Sequence, residues 1–321
     1  MDNLKGKKVL VTGGAGFIGS HIIDRCAEAE EMEVYSVDNR NPAYKNLKAC
    51  YMQADITNQT AMNELFNLVR PDFVVHCAAL ARIQPSFERL DDYFRINIFG
   101  TKIVLEMSKN FNVKRFVFAS SSSIYGLQKY LPLAEDMPVF PLTPYAYTKH
   151  IGEELCRFMG KMTGGPETVI LRYFNVYGPR QPKTFDYYGT IIGIFMEQKK
   201  QNIPFTVVFD GNQRRDFTHV YDVAEANILA MVSPKIGQGE IINIGFGKNH
   251  SVFDVCIKIL CAKKTDLKKN ETFLQLEEGK DFVFIAPRRG EARAVLADNS
   301  KAKKLLDWIP KISLSEGIKM C

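Results

Sequence analysis

The sequence has few residues that could build a metal or disulfide site, and they are scattered. The seven cysteines are odd in number, and no two form a C-x-x-C pair. The five histidines are equally dispersed, so neither a disulfide framework nor a zinc site is predicted. We expect free thiols in a reducing compartment and no bound metal. The residues concerned are Cys26, Cys50, Cys77, Cys156, Cys256, Cys261, Cys321, His21, His76, His150, His219 and His250.

The sequence also lacks a long apolar run, which argues against a membrane-spanning helix. Such a helix needs roughly 20 consecutive apolar residues. Residues 1–8 contain no apolar stretch typical of a signal peptide. With 46% hydrophobic and 24% charged residues, the composition is ordinary for a globular chain. We therefore expect a cytoplasmic protein with no membrane partner.

The formal net charge of +6 raises the question of nucleic-acid binding. The basic residues are not concentrated in one arm or helix, apart from a run that contains Lys263, Lys264, Lys268 and Lys269. Such a run is usually a solvated surface. A basic pocket for a small anionic substrate explains part of the excess equally well, so we predict no nucleic-acid partner.

Up to about residue 175, short apolar runs alternate with amphipathic stretches. The runs are rich in Val, Ile and Phe and lack polar alternation, as expected for strands buried on both faces of a parallel sheet. This rhythm predicts an α/β fold with a doubly wound parallel sheet. Strands are predicted at 8–12, 33–38, 49–54, 72–78, 115–120 and 168–173, and helices at 18–29, 60–69, 91–110 and 145–162.

The first predicted strand leads into a glycine-rich turn and a helix. Its glycines follow the spacing G-x-x-G-x-x-G at Gly13, Gly16 and Gly19. The first permits the tight turn, the second lets backbone N–H groups approach a pyrophosphate, and the third allows close helix–strand packing. The helix N-terminus adds a positive dipole for the phosphates. The next strand ends in Asp38, which completes the fingerprint of a dinucleotide-binding Rossmann fold.

Asp38 indicates which dinucleotide is bound. A carboxylate accepts both ribose hydroxyls and repels a 2′-phosphate, so NAD is favoured over NADP. Arg40 either weakens that preference or is a surface residue of the loop. Asp55, at the end of another strand, is placed to bond the adenine amine, and capping of a helix that begins near Thr57 is the alternative.

Two further motifs suit chemistry at the edge of a parallel sheet. Tyr145 and Lys149 are four residues apart on a predicted helix, so they share a face. An ammonium close to a phenol favours the phenolate and lowers the phenol pKa, which would make Tyr145 a general base near neutral pH. Four consecutive serines at 120–123 directly follow an apolar strand, which places hydroxyls at its carboxyl end. A flexible serine linker would not begin inside such a strand.

After residue 175 the alternation loosens, and glycine and proline mark loops. We predict an NAD-binding Rossmann domain over 1–175 and a smaller region over 176–321 that mainly binds substrate, with segments that return to the sheet. A helix over 298–308, closed by Pro310, is expected. Another helix is expected to begin near residue 315, and the natural chain would then extend further.

These motifs, in this order, resemble the extended short-chain dehydrogenase/reductase family, which includes NAD-dependent epimerases and dehydratases. Within that family the sequence looks most like the UDP-sugar 4-epimerases. The resemblance covers nearly the whole chain and implies the Rossmann fold with NAD as cofactor. The matching segments are 12–19, 118–126, 144–149, 171–180, 214–217 and 287–290.

The resemblance implies roles for individual residues. Ser121, four residues before the tyrosine of the family's Tyr-Gly motif at Tyr125, would hold the sugar 4-oxygen. Tyr145 would take the proton of the 4-hydroxyl while hydride passes to NAD, and Lys149 would also anchor the nicotinamide ribose. The 4-keto sugar would then turn over and take the hydride back on its other face, so that NAD is recycled.

The resemblance also implies which residues surround the two ligands. Asn175, Arg215 and Arg288 match positions that hold the diphosphate, and Glu291 matches one that contacts the uridine ribose. Arginines give charge-assisted bonds to a diphosphate, with a surface salt bridge as the alternative for each. The NAD site would comprise Gly13, Gly16, Phe17, Ile18, Gly19, Asp38, Asn39, Asp55, Ile56, Ala78, Tyr145, Lys149 and Tyr173. The UDP-sugar site would comprise Ser121, Ser123, Tyr145, Asn175, Arg215, Arg288, Glu291 and Val295.

Ser122 and Ser123 distinguish between reactions that share this scaffold. Related 4,6-dehydratases carry Asp-Glu at these positions, because elimination of water needs an acid and a base, and UDP-glucuronate decarboxylases carry Glu at the second. Serines cannot do that work, so C4 epimerisation of a UDP-sugar is predicted. The alternatives are a UDP-glucuronate 4-epimerase, another nucleotide-sugar dehydratase or reductase, and a non-enzymatic NAD-binding sensor or scaffold.

The resemblance also implies which sugars the pocket admits and how many copies of the chain assemble. Val295 matches a pocket wall, and its modest size admits N-acetylated sugars beside glucose and galactose, unless it is simply a core residue. Arg82, in the loop 81–86, would favour a uronate carboxylate. Helices 91–110 and 145–162 resemble the pair that forms a four-helix bundle between two subunits, so we expect a homodimer.

Overall fold

The computed structural model describes residues 4–28, 32–183, 189–262 and 276–321. The lysine run interpreted above as a solvated surface lies outside these residues. The strands are β1 (Lys8–Thr12), β2 (Glu33–Asp38), β3 (Ala49–Gln53), β4 (Phe73–His76), β5 (Arg115–Ser121), β6 (Glu167–Tyr173), β7 (Val176–Tyr177), β8 (Phe205–Val208), β9 (Arg214–Asp216), β10 (Thr218–His219), β11 (Gln238–Ile244), β12 (Asn249–Ser251) and β13 (Phe282–Ile285).

Seven of these strands form one sheet in the order β11-β6-β5-β4-β1-β2-β3, and all its pairings are parallel. The predicted α/β fold with a doubly wound parallel sheet is therefore confirmed. The order reverses direction between β1 and β4, and the crevice beside such a point is where open α/β sheets bind ligands.

The helices cover both faces of the sheet, and most lie close to their predicted positions. The predicted helix over 91–110 is divided by a π-helical segment, Phe94–Gly100, and the predicted helix over 298–308 is shorter. A 3-10 helix, Ser122–Tyr125, follows β5. The α-helices are α1 (Phe17–Ala27), α2 (Gln59–Val69), α3 (Ile83–Ser86), α4 (Leu90–Tyr93), α5 (Thr101–Asn110), α6 (Pro144–Gly160), α7 (Ile191–Gln201), α8 (Val220–Val232), α9 (Val252–Cys261), α10 (Ser300–Leu306) and α11 (Leu314–Met320).

Two apolar cores lie on opposite faces of the sheet because successive strand residues point to opposite sides. In β1, Val9 and Val11 pack into the core that α1 and α8 cover. Leu10 packs into the core that α2, α5 and α6 cover. A third apolar cluster, around Phe195 and Phe217, lies within the second part of the chain.

The second part of the chain returns to the first at several places, two of them through β11 and α8. Strand β11 pairs with β6 at the edge of the main sheet, and α8 packs against α1, where Arg25 Nε lies 2.6 Å from Glu225 Oε2. The two parts are therefore joined by the sheet as well as by the chain. In the ranges that the structure describes, no helix is both long and apolar enough to cross a membrane.

Candidate active site

The turn between β1 and α1 has a backbone shape that side chains would block. Gly13 has a φ of +73°, and a Cβ there would lie 2.6 Å from the backbone nitrogen of Ala78. A Cβ on Gly19 would collide with the Gly13 carbonyl. Helix α1 begins after Gly16 without a side-chain cap, and Gly16 and Phe17 both line a cavity. Backbone N–H groups at a helix start are suited to an anionic group such as a pyrophosphate.

Asp38 lies at the carboxyl end of β2, beside this turn, and is almost fully buried. Its Oδ2 accepts a hydrogen bond from the Ala15 N–H (3.2 Å), and its Oδ1 accepts one from the Arg40 N–H (3.0 Å). The Arg40 side chain is largely exposed, and its Nε lies 3.6 Å from Asp38. The carboxylate is thus held where a ribose would meet the turn, and Arg40 offsets part of its charge.

Asp55 follows β3 and lines the same cavity. Its Oδ1 accepts from both the N–H and the hydroxyl of Thr57, each at 2.8 Å. Helix α2 begins at Gln59 and is capped by Asn58, whose side chain accepts from Ala61. The alternative that Asp55 caps this helix is therefore wrong. The other residues expected around the cofactor also line the cavity: Ile18, Asn39, Ile56, Ala78 and Tyr173.

Tyr145 and Ser121 come together at the carboxyl edge of the sheet. Tyr145 lies in the first turn of α6, which is fixed by the Thr143 hydroxyl accepting from the Ala146 N–H at 3.1 Å. Ser121 ends β5, and its hydroxyl lies close enough to Tyr145 to lower the pKa of that phenol. Ser121 Oγ accepts a hydrogen bond from the Ser123 N–H at 3.2 Å and lies 3.0 Å from the Ser123 hydroxyl. The structure therefore assembles a phenol and two hydroxyls in one place.

The ionisation of Tyr145 differs from our expectation. Burial raises its pKa, while the nearby Ser121 hydroxyl and the positive charge of Arg82 oppose that rise. The Lys149 ammonium instead donates to the Ala119 carbonyl at 2.7 Å and lies 4.9 Å from the Phe118 ring centroid. The expected lowering of the Tyr145 pKa by Lys149 is thus wrong in this structure, because burial outweighs the nearby charges.

Lys149 is itself buried, and burial lowers the pKa of its ammonium to about 8. The charge of Glu153, one helical turn further along α6, opposes that shift. The pKa of Lys149 therefore lies below the usual range of a surface lysine.

Arg215, Arg288 and Glu291 converge from separate segments on the cavity. Arg215 Nη2 lies 3.5 Å from Glu291 Oε2, and Arg288 Nη1 lies 4.0 Å from Glu291 Oε1. The Arg215 side chain is only 15% exposed. Burial lowers the pKa of Arg215, and the charge of Glu291 opposes that. Arg215 thus forms an ion pair inside the cavity, whereas the neighbouring Arg214 is exposed and donates to Asn249 Oδ1 at 2.9 Å.

Asn175 and Val295 complete the predicted set. Asn175 follows β6 with a φ of +27°, and its Nδ2 donates to the Asp216 carbonyl at 3.2 Å. Val295 is half-buried, lines the cavity and packs against a small apolar cluster that includes Tyr125 and Phe174. Both interpretations of Val295, pocket wall and core residue, therefore describe part of its surroundings.

A single cavity of about 980 Å³ connects the glycine turn, the Ser121–Tyr145 pair and the two arginines. That volume lies at the upper end of the range for ligand pockets. The predicted site residues 13, 16–19, 38, 39, 55, 56, 78, 121, 123, 145, 149, 173, 175, 215, 288, 291 and 295 all line it.

Sequence reasoning missed two charged residues beside this cavity, Glu153 and Arg172, which are bonded to each other, and Glu153 also to the first of the four predicted serines. Ser120, Glu153 and Arg172 form a buried hydrogen-bonded group. Two signals could have found them. Glu153 shares a helix face with Lys149, and Arg172 is a charged residue in an otherwise apolar strand.

The fold and the site together define a Rossmann protein with a Ser-Tyr-Lys centre beside a basic pocket. Residues 9–245 match the sequence model of the NAD dependent epimerase/dehydratase family, and the chain belongs to that family. The UDP-glucuronate 4-epimerase of Thermodesulfobacterium geofontis is 37% identical, over 97% of this chain and 93% of that protein.

Solved structures give the same result. The crystal structure of Thermotoga maritima UDP-glucose 4-epimerase with UDP-glucose has a TM-score of 0.86 and 34% identity, and the match covers 98% of this chain and 96% of that one. The structure of Bacillus cereus UDP-glucuronic acid 4-epimerase with UDP-glucuronic acid and NAD has a TM-score of 0.83 and 32% identity, and covers 98% and 97% of the two chains. The predicted family is confirmed.

Proposed function

We propose that this protein is an NAD-dependent isomerase that inverts C4 of a UDP-sugar, with UDP-glucose/UDP-galactose or their N-acetylated counterparts as the substrates. The observation that carries the proposal is the single cavity in which the Ser121–Tyr145 pair lies between the glycine turn and the Arg215–Glu291–Arg288 group. Family membership and the named activities of the similar proteins support it.

The residues at the dinucleotide end fit NAD. The glycine turn leaves room for close backbone approach, and Asp38 presents a fixed carboxylate where a ribose would lie. Bound NAD supplies a reversible hydride acceptor, so no external oxidant is consumed. Lys149 lies one turn after Tyr145 on α6 and lines the same cavity, and in this proposal it holds the nicotinamide ribose.

The protein's own residues handle the proton and the diphosphate. Burial raises the pKa of Tyr145, and the positive nicotinamide ring of bound NAD would favour its phenolate. The Tyr145 phenolate accepts the proton of the 4-hydroxyl, and Ser121 donates a hydrogen bond to the same oxygen. Arg215 and Arg288 bind the diphosphate with charge-assisted bonds, and Asn175 adds an amide donor. Glu291, between the two arginines, orients them and contacts the uridine ribose.

The acidic residues favour epimerisation over dehydration. Among the described residues that line the cavity, the carboxylates are Asp38, Asp55 and Glu291. Asp38 and Asp55 belong to the dinucleotide end, and Glu291 is paired with arginines. The positions after Ser121 are serines, and Ser123 is hydrogen-bonded to Ser121 itself. No acid–base pair for elimination is therefore supplied by these residues.

A UDP-glucuronate 4-epimerase is the second candidate, because Arg82 lines the cavity and its positive charge is close enough to lower the pKa of Tyr145. The C6 carboxylate of UDP-glucuronate would pair with the Arg82 guanidinium. Two of the similar proteins carry the name of that activity.

The test is to incubate the purified protein with a panel of UDP-hexoses, UDP-N-acetylhexosamines and UDP-glucuronate, and to read C4 stereochemistry by proton NMR. Inversion of one class identifies the substrate. Net growth of NADH absorbance would instead identify a one-way dehydrogenase. Bound NAD without turnover of any UDP-sugar would contradict the proposal and favour a sensor or scaffold role.

We further propose a working division into an NAD-binding part (1–175) and a substrate-binding part (176–321), and a cytoplasmic homodimer in which residues 91–110 and α6 form the interface. The observation that supports the interface is a set of exposed apolar side chains on α6 and on the segment just before α5, because large apolar patches usually mark contacts. These side chains are Leu90, Phe99, Tyr147 and Phe158. Light scattering after size exclusion tests this, and a monomeric mass would contradict it.

A further inference from the structure

A buried ion pair lies directly beneath the candidate active site. Arg172 Nη2 lies 2.7 Å from Glu153 Oε2, and Arg172 Nε lies 2.9 Å from Glu153 Oε1. Both side chains are only 1% exposed. The hydroxyl of Ser120 donates to Glu153 Oε1 at 2.6 Å, so one carboxylate bonds both residues.

The position of this group in the fold connects two elements of the site. Ser120 and Arg172 are register partners on β5 and β6. Glu153 lies on α6, one turn after Lys149 and two turns after Tyr145. The Glu153 carboxylate therefore joins the helix that carries Tyr145 and Lys149 to the strand that ends in Ser121.

Arg172 also contacts the segment that follows Ser121. Its guanidinium lies 4.6 Å from the ring centroid of Tyr125, which ends the 3-10 helix Ser122–Tyr125. The Tyr125 hydroxyl donates to Asn243 Oδ1 at 2.7 Å. Ser121 is thus held on both sides, through Ser120 before it and through Tyr125 after it.

The cost of burying two charges argues against a purely stabilising role. Moving an ion pair out of water often costs as much free energy as the attraction between the two charges provides. Apolar residues of similar volume would pack at least as well. We propose that Glu153 and Arg172 are positioning residues that fix Ser121 against Tyr145 and Lys149 for the reaction. This inference rests on the proposed function, since it concerns the geometry of the same centre.

The sharpest test removes the hydrogen bond from Ser120 to Glu153 and leaves the Glu153–Arg172 ion pair intact. In Ser120→Ala the hydroxyl is lost, and we expect kcat to fall by about tenfold or more, with the KM for the UDP-sugar little changed, because small misplacements of reacting groups are costly. Ser120→Thr keeps the hydroxyl and should restore most of kcat. Thr168→Val is the matched control. It removes a bond from the Thr168 hydroxyl to the Cys156 carbonyl (3.1 Å), which joins the neighbouring strand β6 to the same helix α6 but lies away from the site, and should leave kcat unchanged.

A second measurement needs no turnover. The nearby Ser121 hydroxyl lowers the pKa of Tyr145, so a displaced Ser121 should raise the pKa of Tyr145 further. Ultraviolet titration of each variant against the same variant with Tyr145→Phe isolates this phenol. A raised pKa in Ser120→Ala, but not in Thr168→Val, supports the inference even if no UDP-sugar is converted, and the proposed function alone would then fail. An active wild type with unchanged kcat in Ser120→Ala, or an unchanged phenol pKa, would overturn the inference.

Discussion

Ser121 and Tyr145 lie together where the end of β5 meets the first turn of α6, and the Ser121 hydroxyl lowers the pKa of Tyr145. This proximity depends on the parallel sheet, because the carboxyl end of β5 and the N-terminal turn of α6 meet at the same edge. A serine hydroxyl and a phenol so arranged can both contact one substrate oxygen. This pair is therefore the natural target for the first test of the proposed chemistry.

Tyr145→Phe removes the phenol and keeps the ring. We expect the epimerisation rate to fall by about 10²–10⁴-fold, the range for loss of a general base. NAD should remain bound, because the glycine turn and Asp38 are unchanged. The measurement is C4 inversion by proton NMR together with the NAD content of the purified variant.

The matched control is Tyr147→Phe, two residues further along α6. Tyr147 is exposed and its ring stacks with Phe94, at a centroid distance of 6.0 Å. The phenylalanine keeps that ring, so activity should stay close to wild type. Full activity in Tyr145→Phe would remove this phenol from the mechanism.

The sequence predicted the fold and the cofactor end well, because both depend on local patterns. Apolar runs of strand length located β1–β6 to within a few residues, and the glycine spacing located a turn whose conformation requires glycine at Gly13. Asp38 follows from the same pattern, since its position at the end of β2 is set by strand length.

The sequence predicted the support of the site poorly, because that support depends on contacts between distant segments. Glu153 and Arg172 meet only through the packing of α6 on the sheet. The predicted direction of the Tyr145 pKa shift was wrong for a related reason. Spacing showed that Lys149 shares its helix face, but the side chain extends to the Ala119 carbonyl, and the extent of burial is a property of the whole fold.

Arg215→Gln tests the diphosphate pocket. Hydrogen bonds to charged groups contribute about 1.5–3 kcal/mol each, so we expect the Kd for UDP to rise by roughly 10- to 100-fold. Isothermal titration with UDP measures this without any turnover.

Arg214→Gln is the control for that experiment, since Arg214 is the adjacent residue of β9 and makes its bonds to Asn249 at the surface. It loses the same charge but should leave UDP affinity nearly unchanged. Equal losses in the two variants would show that general electrostatic attraction, and not a specific contact, holds the diphosphate.

Val295→Tyr tests the size of the sugar pocket. Val295 lines the cavity, so a larger side chain there should depress turnover of UDP-N-acetylhexosamines more than turnover of UDP-glucose. UDP-glucose is the internal control for any general damage to packing, because Val295 also contacts a small apolar cluster. Competition assays with both substrates in one tube give the ratio directly. Equal losses on both would refute the pocket-wall role.

The pH dependence of turnover should report Lys149. Its pKa is lowered to about 8 by burial, against the negative charge of Glu153, while the neighbouring His76 has a pKa of about 3 and is neutral. Any step that needs the ammonium should therefore fade as the pH rises through about 8.

The pH dependence of stability distinguishes a loss of turnover caused by deprotonation of Lys149 from one caused by alkaline unfolding. In the unfolded chain a lysine titrates near 10.4, so between about 8 and that value the folded protein binds fewer protons at Lys149 than the unfolded chain does. For this group alone, stability rises with pH over that window. Turnover and thermal unfolding midpoint should be measured together across it. Turnover that falls while the midpoint holds supports the assignment, and turnover that stays flat to about pH 10 would show that the reaction does not need the Lys149 charge.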